Sequence, residues 1–141
     1  MRVLLSIKPV HVEKILSGVK TFEFRRRIFA RCDVRTVLVY STMPVGRFVA
    51  EFDISDIIVD EPERLWMRTR GGAGISKDYF DAYFVDRDKA FALSIGEVRC
   101  FEQPINPVDV MENFTPPQSY MYIGNKFERV NRAQNQLEMV V

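Results

Sequence analysis

Hydrophobic and polar positions follow two different periods near the start of the chain. Residues 2–7 are mainly apolar and are followed by a Lys-Pro pair, which predicts a strand. Val12 and Ile15 begin a stripe with i, i+3, i+4 spacing, so residues 9–17 are predicted to form a short amphipathic helix. Gly18 follows as the expected end of that helix.

The next segment, residues 21–25, alternates with the period of a strand. Phe22 and Phe24 are expected on one face. The other face is expected to carry Thr21, Glu23 and Arg25. A short strand with one aromatic and one charged face therefore follows directly after the first helix.

The remaining pattern predicts more strands, interrupted by two helices. Apolar alternation predicts strands at 47–59 and 89–101, and nearly continuous apolar character predicts a buried strand at 36–41. Residues 120–123 are expected to form a short strand. The helices are expected to begin near Pro62 and Ser76, with Ser76 as N-cap. Val108 to Phe114 is expected to contribute one helical turn. Strands and helices in this order favour an α+β fold over a doubly wound parallel sheet.

The chain becomes polar after Gly124. We therefore expect a domain over residues 1–124 and a tail or terminal helix over residues 125–141. A length of 141 residues fits one domain with a substantial core.

Charge is balanced overall but uneven along the chain. The net charge is +1, which argues against a strong nonspecific nucleic-acid binder. Five arginines nevertheless lie within eleven residues: Arg25, Arg26, Arg27, Arg31 and Arg35. Attraction for phosphate is therefore expected to be local.

Cysteine content and hydropathy point to a cytoplasmic protein. Cys32 and Cys100 are too few for a zinc motif and are expected to be free thiols. The N-terminal apolar run is too short for a signal peptide, and no apolar stretch approaches the length of a membrane span.

Candidate chemistry is concentrated in the segment from Gly18 to Arg25. Glu23 and Arg25 share one strand face, and Lys20 lies close enough to reach over it. Arginine can grip phosphate with two hydrogen bonds, a carboxylate can accept from a base amino group, and a lysine beside an arginine can have a depressed pKa. The alternative is a solvated strand face whose Glu–Arg pair contributes little.

These residues resemble a known family. Gly18, Lys20, Glu23 and Arg25 match the G-x-K-x-x-E-x-R signature of ASCH domains, which are PUA-like, and the likeness extends over roughly residues 3–123. The resemblance implies a small mixed β-barrel of about five to six strands flanked by two to three helices. It also implies a cleft beside the signature strand that binds RNA or a nucleotide.

Catalysis stays open at this point. Some small ASCH members cleave RNA or hydrolyse modified nucleosides. The members that remove an acetyl group from a modified cytidine carry a Thr nucleophile where this chain has Glu23. An enzyme would use Lys20 as base or electrostatic stabiliser and Glu23 to activate water. A ribonuclease could also use a divalent metal, although no metal site is evident. A third alternative is a regulatory domain whose basic strand docks an acidic protein.

Five further residues are candidates for the same cleft: Lys8, Tyr40, Tyr79, Gln118 and Ser119. Each also has a structural interpretation, namely a solvated lysine, a core-edge aromatic, a packed helix face or a capped turn. His11 is expected to be exposed. Residues 71–74 are expected to form a flexible connection that could gate the cleft.

Overall fold

The computed structural model describes residues 1–124, so the predicted tail at 125–141 lies outside the described residues. Strands and helices occur in the predicted order. The elements are β1 (Arg2–Ile7), α1 (Pro9–Leu16), β2 (Phe22–Arg25), β3 (Thr36–Ser41), β4 (Arg47–Asp60), α2 (Pro62–Thr69), α3 (Lys77–Tyr83), β5 (Ala90–Ile105) and β6 (Tyr120–Tyr122). Short 3₁₀ turns occupy Arg70–Gly72 and Pro107–Asp109.

All six strands form one mixed sheet in the order β2-β5-β4-β3-β1-β6. β1 and β3 pair in parallel and the other pairs are antiparallel. β2 lies between them in the chain and runs opposite to both, so it returns the chain to the end of the sheet where β3 begins. Every residue of β3 is buried, as its continuous apolar character predicts for a central strand. The short strand β2 lies at one edge of the sheet and β6 at the other.

The sheet curls into a half-barrel because its longest strands bend. The register between β4 and β5 shifts between Phe48 and Ala50 and at two further places between Phe52 and Asp56. Such bulges increase local twist and bend a strand pair. The predicted α+β fold of about five to six strands with two to three helices is confirmed, with six strands and three α-helices in the described chain.

One hydrophobic cluster positions the signature strand. Phe24 of β2 packs edge-on against Phe80 and Phe84 of α3, with ring centroids 5.2 and 6.2 Å apart. Phe80 and Phe84 are buried, as predicted for the core face of this helix. Ser76 caps the same helix, because its hydroxyl accepts a hydrogen bond from the backbone N–H of Tyr79 at 3.1 Å. This packing therefore holds β2 and α3 against each other.

Two boundaries differ from the sequence prediction. β5 continues to Ile105, because Ile105 pairs with Phe48 beyond a bulge that the alternation pattern does not reveal. The expected helical turn at 108–114 is limited to the 3₁₀ turn at 107–109, which Asn106 caps by accepting from Val108 N–H at 3.3 Å. Across residues 1–124, no helix combines the length and apolar character needed to cross a bilayer.

Candidate functional site

A cleft of about 470 Å³ opens between β2, the end of β1, the start of α1 and helix α3. This volume is within the usual range for small-molecule sites. The signature residues Lys20, Glu23 and Arg25 all line it, and Phe24 contributes part of an apolar wall. The charged residues that the sequence marks on this strand therefore lie in a concave site.

Lys20 is the most buried cation of the cleft, with 2% of its surface exposed. Its ammonium donates to the carbonyl of Ala73 at 2.8 Å and lies 4.7 Å from the centre of the Phe24 ring. Burial lowers the pKa of Lys20 from 10.5 to about 8; nearby Glu23 opposes the shift, and two neighbouring cations add to it. The predicted depression of this pKa thus has desolvation as its main cause.

The carbonyl that holds Lys20 belongs to a tightly packed loop. Gly74 has φ +68°, and a Cβ at this position would lie 2.7 Å from Cβ of Lys20. A Cβ on Gly72 would collide with the hydroxyl of Thr21. Lys14 also fixes the loop, donating to the Gly74 carbonyl at 2.8 Å. The expectation of a flexible gate at 71–74 is therefore wrong, because these glycines allow close approach to the residues before β2.

Arg25 joins the two edges of the curled sheet. From β2 its guanidinium donates to the carbonyl of Ser6 at 3.0 Å, in β1, and to that of Ser119 at 3.3 Å, just before β6. Its nearest distance to the Glu23 carboxylate is 3.6 Å, which is an ion pair without a hydrogen bond. Arg25 therefore fixes the floor of the cleft and places positive charge beside Glu23.

The structure brings together most of the other candidates. Lys8, Tyr79 and Gln118 line the cleft. Ser119 is adjacent and contributes its backbone carbonyl to Arg25, while its side chain is not part of the lining.

Tyr40 does not reach the cleft. It is 5% exposed and packs against Phe48 and Phe114, with ring centroids 6.1 and 5.2 Å away. Its strand is buried on both faces, and Tyr40 belongs to a hydrophobic cluster and is not part of the cleft lining. The expectation that Tyr40 binds ligand is therefore corrected to a core role.

His11 lines the cleft, contrary to the expectation that it is exposed. Its Nε2 lies 3.2 Å from the Tyr79 hydroxyl, and the two rings meet edge to face. Burial, followed by the charges of Lys20, Lys8 and Lys14, lowers the pKa of His11 to about 4. This histidine is therefore neutral at physiological pH. No sequence signal indicates the contact, because its partner is 68 residues away.

Arg26 is a second residue that the sequence reasoning did not select. Its guanidinium lies 4.3 Å from the centre of the Tyr83 ring and donates to the Tyr83 carbonyl at 2.8 Å. Arg26 and Lys8 are both exposed at the cleft, so its rim carries two solvated cations. The cluster of arginines is the sequence signal that could have found Arg26.

The arrangement combines a polar floor, aromatic walls and a basic rim. Such a cleft suits a ligand with a planar ring, polar edges and a phosphate. Within residues 1–124, no group of three or more His, Cys, Asp or Glu side chains is placed to hold a metal ion.

Comparison with known proteins identifies the family. No family model matches the chain. The chain is 30% identical over 126 residues to the ASCH domain-containing ribonuclease of Zymomonas mobilis, a match that covers 85% of this chain and 82% of that protein. The chain belongs to the ASCH domain family. The fold of this chain agrees with the family assignment. The crystal structure of ASCH from Zymomonas mobilis is similar to this chain with a TM-score of 0.86 at 27% identity, and the match covers 93% of this chain and 94% of that chain.

A more distant structure shares only the architecture of the ASCH chain. The N-terminal domain of Staphylothermus marinus McrB matches with a TM-score of 0.56 at 13% identity, over 93% of both chains. At this identity the likeness concerns the fold alone.

Proposed function

We propose that this ASCH protein binds RNA and holds one of its nucleotides in the cleft beside β2. The observation that carries the proposal is the convergence of Lys20, Glu23 and Arg25 on one concave site of about 470 Å³. The similarity to a protein named as a ribonuclease supports RNA as the ligand class.

Each part of the cleft has a role in this proposal. Lys8 and Arg26 at the rim attract the phosphate groups. Tyr79, 40% exposed, offers a ring on which a base can stack. Glu23 accepts hydrogen bonds from the base edge, and Gln118 supplies a further polar group. Backbone carbonyls hold two of the guanidinium N–H groups of Arg25, which in this proposal places positive charge beside Glu23.

The pKa of Lys20 favours a second candidate function, in which the bound RNA is also cleaved. At a pKa of about 8, Lys20 combines a useful population of free amine with proton affinity near neutral pH. In this candidate Lys20 is the general base or stabilises charge on the phosphate, and Glu23 activates water or contributes to a divalent metal site. The ribonuclease name of the relative is consistent with such a reaction.

Binding and cleavage are separated by one assay with end-labelled single-stranded RNA at low salt. The RNA is incubated with the protein in magnesium, in manganese and in EDTA, and analysed for both retention and fragments. Binding predicts retention that weakens with salt. Cleavage predicts fragments that disappear in Lys20→Met and Glu23→Gln. Matched controls are Lys89→Met and Glu112→Gln, since both residues are exposed and outside the cleft.

Two other results would redirect the proposal. Release of acetate from acetylcytidine would indicate a nucleoside amidohydrolase, for which Glu23 stands in place of the expected Thr nucleophile. The absence of any RNA signal at low salt would refute the proposal and favour a protein-interaction domain.

The exposed thiols of Cys32 and Cys100, which are free in the described part of the chain, fit a reducing compartment, so we place the function in the cytoplasm.

A further inference from the structure

Glu23 is largely buried, yet its carboxylate faces the cleft without a hydrogen bond from residues 1–124. Glu23 is only 6% exposed, and it lines the cleft. Within residues 1–124, no side chain or backbone N–H donates a hydrogen bond to it, and its carboxylate forms an ion pair with Arg25 at 3.6 Å. A buried carboxylate normally accepts several hydrogen bonds. Glu23 is therefore an acceptor held ready for donors from outside the chain.

Neighbouring cations compensate the charge of Glu23 without satisfying its lone pairs. Arg25 directs two of its N–H groups to the carbonyls of Ser6 and Ser119. Lys20 directs its ammonium to the carbonyl of Ala73. Both cations are held by backbone carbonyls and place positive charge beside the carboxylate. An ionised carboxylate is an acceptor only, so a ligand group facing it must donate.

We propose, on the basis of the RNA-binding function above, that Glu23 selects guanine as the base in the cleft. Guanine presents two adjacent donors, N1–H and the N2 amino group, which match the two oxygens of a carboxylate. Adenine and cytosine each present one amino group beside a ring nitrogen that is an acceptor and is repelled by a carboxylate. Uracil presents one N–H between two carbonyl oxygens. Guanine is thus the standard base that makes two hydrogen bonds to Glu23 without repulsion.

The surroundings of Glu23 favour a base over a ribose at this depth. Phe24 and Tyr83 line the same cleft, and aromatic walls suit a flat base. The exposed cations Lys8 and Arg26 place the phosphate at the rim, with the base pointing inward. The competing ligand is the pair of ribose hydroxyls, which also donate to a carboxylate. The test therefore separates the two.

The experiment measures fluorescence anisotropy of short labelled uridine oligonucleotides, at low salt and in EDTA. Their central nucleotide is uridine, guanosine, inosine, adenosine or 2′-deoxyguanosine. Inosine lacks only the N2 amino group, so it removes one of the two proposed hydrogen bonds. We expect guanosine and 2′-deoxyguanosine to bind alike, and inosine and adenosine to bind about tenfold more weakly. In Glu23→Gln the guanosine preference should fall to about twofold, because the amide offers one acceptor. Glu112→Gln should keep the full preference.

Each outcome distinguishes the guanine proposal from the binding proposal. If guanosine and inosine bind the native protein equally, or if only the 2′-hydroxyl matters, guanine selection by Glu23 is refuted while RNA binding stands. If no oligonucleotide binds, RNA binding itself is refuted. Equal binding of guanosine and inosine by the native protein refutes the proposal even if Glu23→Gln fails to fold.

Discussion

The buried ammonium of Lys20 should make the stability of the protein depend on pH above neutrality. The folded-state pKa is about 8, against 10.5 for an ordinary lysine. Between these values the unfolded chain holds a proton that the folded chain has released, so stability rises with pH across this interval. For one group with these two pKa values, the gain is about 2 kcal/mol between about pH 7.5 and 9.5.

The variant Lys20→Met isolates this contribution. Methionine has a similar shape, stays apolar and cannot titrate, so the difference between native protein and variant removes effects of other groups. Urea unfolding at the two pH values should show the native protein gaining about 2 kcal/mol relative to the variant. Lys89→Met, at an exposed site, should show no such gain. A pH-independent difference for Lys20→Met would refute the idea that Lys20 is desolvated.

The same pKa separates two roles of Lys20 in RNA chemistry. If the charged ammonium binds phosphate, RNA affinity should fall as pH rises through about 8. If the free amine is a general base, the cleavage rate should rise over the same interval. Opposite pH profiles of affinity and rate would show both roles in one residue.

Three further predictions concern the support of the cleft. Gly74→Ala should destabilise the protein by about 1–3 kcal/mol in thermal unfolding, because Gly74 has a positive φ and a Cβ there would press on the buried Lys20. The control Gly18→Ala also has a positive φ but open space around the new Cβ, so it should cost only about 1 kcal/mol. Arg25→Lys should lose the two hydrogen bonds that join Arg25 to the carbonyls of Ser6 and Ser119, and hydrogen exchange at residues 118–120 should become faster. Unchanged exchange would contradict the bridging role. His11 has a folded-state pKa of about 4 against 6.5 when unfolded, so stability should fall as pH drops through this interval, and His11→Asn should remove that part of the slope in urea titrations.

Local patterns predicted the order of strands and helices and the charged strand, whereas the barrel-like sheet was expected from the resemblance to ASCH domains. Alternation in residues 21–25 correctly placed Phe24 in the core and Glu23 toward the cleft. The role of Arg25 as a bridge was not predictable, because it depends on how far the bulged strands curl the sheet. Tyr40 was misassigned because a strand buried on both faces gives no periodicity to show which way a side chain points.

Two other errors have equally physical causes. Glycines at 71–74 resemble a flexible linker in sequence, yet here they provide room for close packing against the residues before β2. The contact between His11 and Tyr79 joins α1 to α3 across 68 residues, and short-range patterns carry no information on such distances.

The central claim, that the cleft beside β2 receives RNA, is tested most directly by following backbone amide resonances during titration with a short guanosine-containing RNA. The account predicts shifts concentrated at residues 6–11, 20–26, 75–83 and 117–119, which surround the cleft, with Glu112 and its neighbours unaffected. Shifts confined to another face of the protein, or no shifts at low salt, would contradict it.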